Sequence, residues 1–278
     1  MVPMATVRRR GLPSGWYPAG ADEVRSECAR WRQAAQRTAV AAIVPHAGWA
    51  FSGELAYLGV SALDPSVTTV VVVGGHLAAG ERVVVATEER FETPLGYLES
   101  DQRLVDRVAS SLDTVDERSL ENSVEVQLPL IAALLPHVRV VWLRAPSDET
   151  AITLGSVLAR EADAHSTAVL GSTDLTHFGP RFGFSRSGSV EENHRWMTEV
   201  NDRELLDRCL SLDSPALLDH AQRNRSACSP GAAVAAMEFA RSAGCRRGKK
   251  LGYATSYRLS RDENFVGYGT VVFSRPES

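Results

Sequence analysis

Four short stretches of the chain are almost wholly apolar: Ala39 to Val44, Thr69 to Val73, Val138 to Leu143, where Arg139 is the one charged residue, and Thr167 to Leu170. None alternates apolar with polar residues, so each reads as a strand buried on both faces. Between them, helical patterns run over Gly53 to Leu63, Gln102 to Ser111, Val124 to Leu135 and Glu149 to Ala162. The run "PSDE" offers Ser147 or Asp148 as a cap for the last of these. Strand alternating with helix predicts an α/β fold, with parallel strands, right-handed crossovers and helices on both faces. Near the end, "KKLGYATSYRL" and "FVGYGTVVFS" read as two more strands joined across the polar "SRDEN" in a hairpin-like connection. The central sheet is therefore expected to be mixed but mostly parallel. No repeat or long linker interrupts the chain, and a single domain over residues 1–278 is the simplest parse. Arg181 to Glu192, "RFGFSRSGSVEE", reads as an extended loop, and a surface excursion is preferred for it over an active-site lid.

Composition narrows the partners more than the fold. The net charge of −4 lacks the basic surplus of a nucleic-acid binder. The apolar runs are far shorter than the ~20 residues that span a bilayer, so no membrane partner is expected. "RRR" at Arg8 to Arg10 is followed by "GLPSGWYPAG" where a signal peptide would have an apolar stretch, so those arginines are expected on a mobile, solvated terminus. Cys28, Cys209, Cys228 and Cys245 form no C-x-x-C pair, which argues against a zinc ribbon or a thioredoxin-type site. Reduced thiols in a cytoplasmic protein are the default expectation.

The chemistry gathers at strand ends. The first strand runs into Pro45-His46, the second into Gly74-Gly75-His76, and the fourth into Ser172, Thr173, Asp174 and then His177. In open α/β sheets the carboxyl edge is where ligands bind, because the loops converge there. Each histidine alone has the plain explanation of a turn residue bonded to backbone. Three at corresponding positions of separate strands favour a shared site. His137 follows "LLP" and His165, His194 and His220 sit in polar helical or loop contexts, and all four read as surface residues. Cys228, in "NRSACSPGAAVAAMEFA", stands just before a helix opened by Pro230. A helix N-terminus favours thiolate, the form that binds metal, while a buried structural cysteine is the plain alternative. Glu121 and Glu125 lie four apart and share a helical face if the helix starts early; Glu121 serves equally as its cap, and Glu125 is expected in solvent. Asp174 and His177, three apart, suit an acid/base pair if their segment is a helical turn, with the carboxylate fixing the imidazole tautomer.

The segments "SGWYPAG", "VPHAGWAFSG", "FETPLGYLESD", "ENSVEVQLP", "STDLTHFGPRFGF", Cys228 before its helix and "VGYGTVVF" resemble, in order and over nearly the whole chain, the Memo proteins. These include protein B of the AmmeMemoRadiSam system. The resemblance implies a fold similar to the LigB-type class III extradiol dioxygenases. It also implies a metal held by His46, His76 and Cys228, with His177 at the acid/base position and Asp174 beside it as a further ligand or orienting group. This chain departs from the family pattern at three points. "VGGH" stands for the usual "GPSH", Asn122 replaces a histidine in "EHS", and Ser229 follows the cysteine where glycine is common.

Two imidazoles and a thiolate suit a divalent transition metal, Fe(II) first and Cu or Zn as alternatives, and not Mg or Ca. The expected function is that of a non-haem, dioxygenase-like oxidoreductase acting on a small-molecule substrate with O2 as co-substrate. Two rivals stand beside it. One is a non-catalytic metal-binding or redox-regulating protein whose cleft takes a peptide or protein partner; the other is a zinc hydrolase.

Overall fold

The computed structural model describes residues 5–34 and 36–276. In chain order, β1 (Val7–Arg8) and α1 (Ala21–Arg30) lead to β2 (Ala39–Val44), α2 (Trp49–Ala62) and β3 (Thr69–Leu77). Three short strands follow, β4 (Val83–Val85), β5 (Arg90–Thr93) and β6 (Gly96–Glu99), then α3 (Gln102–Ser111) and β7 (Thr114–Asp116). The middle of the chain supplies α4 (Asn122–Glu125), α5 (Leu128–Leu134), β8 (Arg139–Pro146), α6 (Thr150–Glu161), β9 (Thr167–Ser172) and β10 (His177–Phe178). Then come α7 (Val190–Trp196), α8 (Asp202–Ser211), α9 (Ser214–Asn224) and α10 (Pro230–Ser242), and finally β11 (Lys249–Thr255) and β12 (Phe265–Ser274).

The main sheet has the order β10-β12-β2-β9-β3-β8-β4-β7, with β11 also paired to β12. Strands β2, β9, β3 and β8 are parallel neighbours, while β12 runs antiparallel to both β2 and β11. The sheet is mixed and mostly parallel at its centre, as the apolar runs predict. A second, three-stranded sheet, β1-β5-β6, packs against it through Phe91 and Trp142.

The uninterrupted valines of β3 are explained by what covers them. Val71 and Val73 pack in one core with Leu154 of α6, Leu205 of α8 and Phe239 of α10. Val70 and Val72 pack in a second core with Val24 of α1, Tyr57 of α2 and Ile131 of α5. Side chains alternate across the sheet, so a strand sandwiched between helix layers needs apolar residues at every position. Each fully buried valine or leucine contributes roughly 1.5–3 kcal/mol relative to exposure. That anchoring holds the strand ends in fixed positions.

Four expectations are corrected. The helix expected over Val124 to Leu135 is broken into α4 and α5, because Pro129 has no N–H to give the Glu125 carbonyl. Arg8 is not on a solvated terminus: it pairs with Glu88 at 3.1 Å, bonds the Ser119 carbonyl and stacks over Trp142. His220 is buried, held between Ser226 at 2.8 Å and Glu204 at 3.1 Å. The loop after β10 is not purely a surface excursion, since Phe184 packs on Phe178 and Trp196 while Phe182 turns towards His177. At the start of α6, Asp148 accepts from the Thr150 N–H at 2.8 Å, whereas Ser147 is engaged with the Leu77 carbonyl. No helix among the described residues is long and apolar enough to cross a membrane.

Candidate metal centre

The carboxyl ends of β2, β3 and β9 meet the N-terminus of α10, and there the sequence candidates converge. One nitrogen each of His46 and His76 and the sulfur of Cys228 lie within 4.8 Å of one another. His46 Nε2 is 3.2 Å from Cys228 Sγ, and the two imidazoles cross edge to face at 4.8 Å. Soft sulfur with two imidazoles is a donor set for a first-row transition metal, and the atoms are close enough to share one ion.

The two histidines arrive by different routes. His46 is buried, two residues past β2, and its backbone N–H donates to Asp174 Oδ1 at 2.8 Å. Its Nδ1 meets Ser172 Oγ at 3.3 Å, and Asn122 Nδ2 donates to its carbonyl. Gln127, also buried, donates to the Pro45 carbonyl and to Ser172. His76 sits within β3 itself at φ 58°, a left-handed conformation that costs a non-glycine residue roughly 1–3 kcal/mol. Several contacts hold it there. Gly75 N–H donates to Ser123 Oγ at 3.1 Å, and His76 N–H donates to Ser229 Oγ at 3.2 Å. The buried Arg144 donates to the Gly75 carbonyl at 2.9 Å and pairs with Glu117. Glu121 Oε1 lies 3.0 Å from His76 Nδ1, which leaves Nε2 for the metal side.

Electrostatics follow from these contacts. Burial alone lowers the pKa of His46, yet the charges of Cys228 and Asp174 outweigh it and hold the ring at about 9. Burial likewise opposes protonation of His76, but hydrogen bonds to Cys228 and Glu121 raise it to about 10. Burial raises Cys228, and the adjacent imidazoles reverse this and bring the thiol well below its ordinary range. The other thiols lack such neighbours, and burial pushes Cys28 and Cys245 up to about 11 and Cys209 to about 12. These shifts favour the imidazolium and thiolate forms over neutral imidazole and thiol in the metal-free site. Glu121 is depressed to about 2 because hydrogen bonds from His76 and Ser123 overcome its burial.

The carboxylates divide in a way the spacing did not show. Glu121 does cap α4, accepting from the Ser123 and Val124 N–H groups, and it also orients His76. Glu125 is not in solvent: it is buried and receives the Gly11 and Leu12 N–H groups and the Tyr17 hydroxyl. It therefore ties the N-terminal segment beside the site, where Trp16 accepts the Trp49 N–H. Asp174 and His177 do not share a helical turn. The segment is extended, Asp174 is bonded to the His46 backbone, and His177 Nδ1 faces the Leu175 carbonyl at 3.1 Å. The carbonyl, not the carboxylate, sets the His177 tautomer and leaves its Nε2 unengaged by that bond.

His46, His76 and His177 line one cavity of about 640 Å³ with Asp174 and Asn122. Trp16, Phe51, Phe182 and Tyr268 form apolar walls, and Arg181 adds a cation. Phe182 meets His177 edge to face at 5.0 Å. No sequence signal pointed to Ser123, Arg144 or Gln127, and Ser229 stood out only as a departure from the family pattern. None carries a metal-ligand signature, and each acts through backbone groups brought together by the fold; only the Gly-Gly pair before His76 hinted at close packing.

A Memo-like protein family model matches residues 8–272. A MEMO1 family protein of Methanosarcina barkeri is 28% identical, covering 96% of this chain and 99% of its own. Another, of Thermococcus kodakarensis, is 30% identical over 97% of this chain and all of its own length. Among solved structures, an uncharacterized protein from Escherichia coli K12 superposes with a TM-score of 0.52 at 13% identity, covering 83% of this chain and 98% of that one. At that identity the likeness concerns the fold.

Proposed function

The chain belongs to the Memo-like family, and from that premise we propose that it is a metal-dependent oxidoreductase acting on a small molecule. In this reading His46, His76 and Cys228 hold one transition-metal ion, with Fe(II) the best fit. The observation that supports it most is the convergence of those three donors beside a cavity that His177 also lines. A ferrous ion held by these three residues would supply activation of O2. The chain's own residues do the rest. Trp16, Phe51 and Phe182 give the cavity apolar walls suited to a planar apolar substrate. His177, with Nδ1 directed at the Leu175 carbonyl, uses Nε2 to take a proton from an acidic hydroxyl of the bound substrate. Asp174, whose pKa burial raises, fixes the His46 loop through the backbone and stands beside the reacting region. Oxygen uptake by anaerobically Fe(II)-loaded protein, screened against phenols and amines, tests the reading. Substrate-dependent consumption that falls at least about 100-fold in His177→Ala supports it; no consumption with any candidate argues against turnover.

A second reading rests on Asn122 and on the exposure of His76. The imidazole is open to solvent, and an amide lines the cavity where the family pattern has a further histidine. A metal-binding protein whose cleft takes a peptide needs no more than this. Zinc retained through purification, with no oxygen uptake, favours that reading or hydrolysis over oxidation.

A further inference from the structure

Two of the sequence departures, Gly75 for serine and Ser229 for glycine, meet in space. A Cβ placed on Gly75 would lie 2.2 Å from Ser229 Cβ and 2.3 Å from its Oγ. Only one of the two positions has room for a side chain, and here it belongs to Ser229, which is fully buried. Its hydroxyl accepts the His76 N–H at 3.2 Å, so its own proton remains to be donated, and Cys228 Sγ lies 3.6 Å away. The other hydroxyl near that sulfur, Thr173 Oγ1 at 3.8 Å, already donates to the Asp174 carbonyl at 2.8 Å and accepts the Ser229 N–H.

We propose that Ser229 is a positioning residue that couples two arms of the metal centre, holding the left-handed backbone of His76 while donating a hydrogen bond to the Cys228 sulfur, and that residue 75 is glycine to make room for it. The proposal rests on the three-ligand reading above. It assigns a role to a residue outside the ligand set, and it predicts that positions 75 and 229 are energetically coupled. Outer partners of metal ligands typically change affinity by about 10–100-fold when removed. A hydrogen bond to sulfur also lowers the energy of its lone pairs, so its loss shifts thiolate-to-metal charge transfer to longer wavelength.

The test is Co(II) titration of the metal-free protein, read from the ligand-field bands and the thiolate charge-transfer band, with thermal unfolding as a check on the fold. Wild type is compared with Ser229→Ala, Ser229→Gly, Gly75→Ala and the double variant Gly75→Ala/Ser229→Gly. Ser229→Ala removes one oxygen and should bind Co(II) about tenfold more weakly, with the charge-transfer band at longer wavelength. Gly75→Ala should bind about 100-fold more weakly. The double variant should regain about tenfold of this, since the Ser229 Cα, 2.9 Å from the new Cβ, still asks for a small backbone shift. An unmoved band and unchanged affinity in Ser229→Ala overturn the proposal, as does a double variant no better than Gly75→Ala alone. Failure of wild type itself to bind Co(II) with a charge-transfer band overturns the three-ligand reading instead.

Discussion

The His46 and His76 arms deliver the same imidazole to the same place by opposite means. His46 lies in the relaxed continuation of a buried strand, covered on all sides and bonded through its backbone to Asp174. His76 bends out of its strand at φ 58°, is exposed, and is kept there by Ser123, Ser229, Arg144 and Glu121. A ligand carried by strand geometry needs few supporters. A ligand carried against backbone preference needs several, and each is a place where the site can be broken without touching a ligand.

The largest expected contrast comes from glycines on the two arms. Gly74→Ala would put a Cβ 2.2 Å from Ser123 Oγ and 2.7 Å from Val124 Cγ2, so it should weaken metal binding at least about 100-fold. Its destabilisation should be about 1–3 kcal/mol, measurable by urea unfolding. Gly48→Ala, beside His46, meets nothing closer than 3.4 Å and should change stability by less than about 1 kcal/mol. Equal losses at the two positions would erase the distinction between the arms.

Next in size is the carboxylate under His76. Glu121→Gln keeps an acceptor but removes the charge that orients the ring, and metal affinity should fall about 10–100-fold by competitive chelator titration. Asp174→Asn keeps the acceptor for the His46 N–H and should lower affinity less than about tenfold in the same assay.

Acidity separates the arms more gently. Metal requires both rings neutral, and in the metal-free protein they hold protons up to about 9 for His46 and about 10 for His76. Protons compete below those values, so affinity should rise with pH between 7 and 9, by about tenfold per pH unit for each proton released. Calorimetry in buffers of different ionisation enthalpy should count more than one proton per metal at pH 7.5. Glu121→Gln should reduce that count, because it removes a group that holds the His76 proton.

The legible parts of this molecule were those written in local pattern. Apolar-rich runs predicted β2, β3, β8 and β9, since burial on both faces favours apolar residues at nearly every position. Strand-end histidines and a cysteine before Pro230 gave the converging donors. The supports were not legible, because they depend on which distant segments meet. Glu125 looked solvent-exposed from its helix, yet the N-terminal segment, more than a hundred residues away, covers it with two N–H groups and a tyrosine hydroxyl. Arg8 looked like part of a free basic terminus, yet the Trp142 ring and two backbone carbonyls receive it. Asp174 and His177 had the spacing of a helical pair, but the chain stays extended to pair with β12, which sends their side chains to different partners.

His46, His76 and Cys228 are proposed to hold one metal ion, and metal content reports on that directly. Protein purified anaerobically should carry about one equivalent of a transition metal by elemental analysis. Folded His46→Ala and Cys228→Ser should each lose most of it, because two donors and an open edge do not retain a labile ion through purification. Full metal content in both variants would contradict the account.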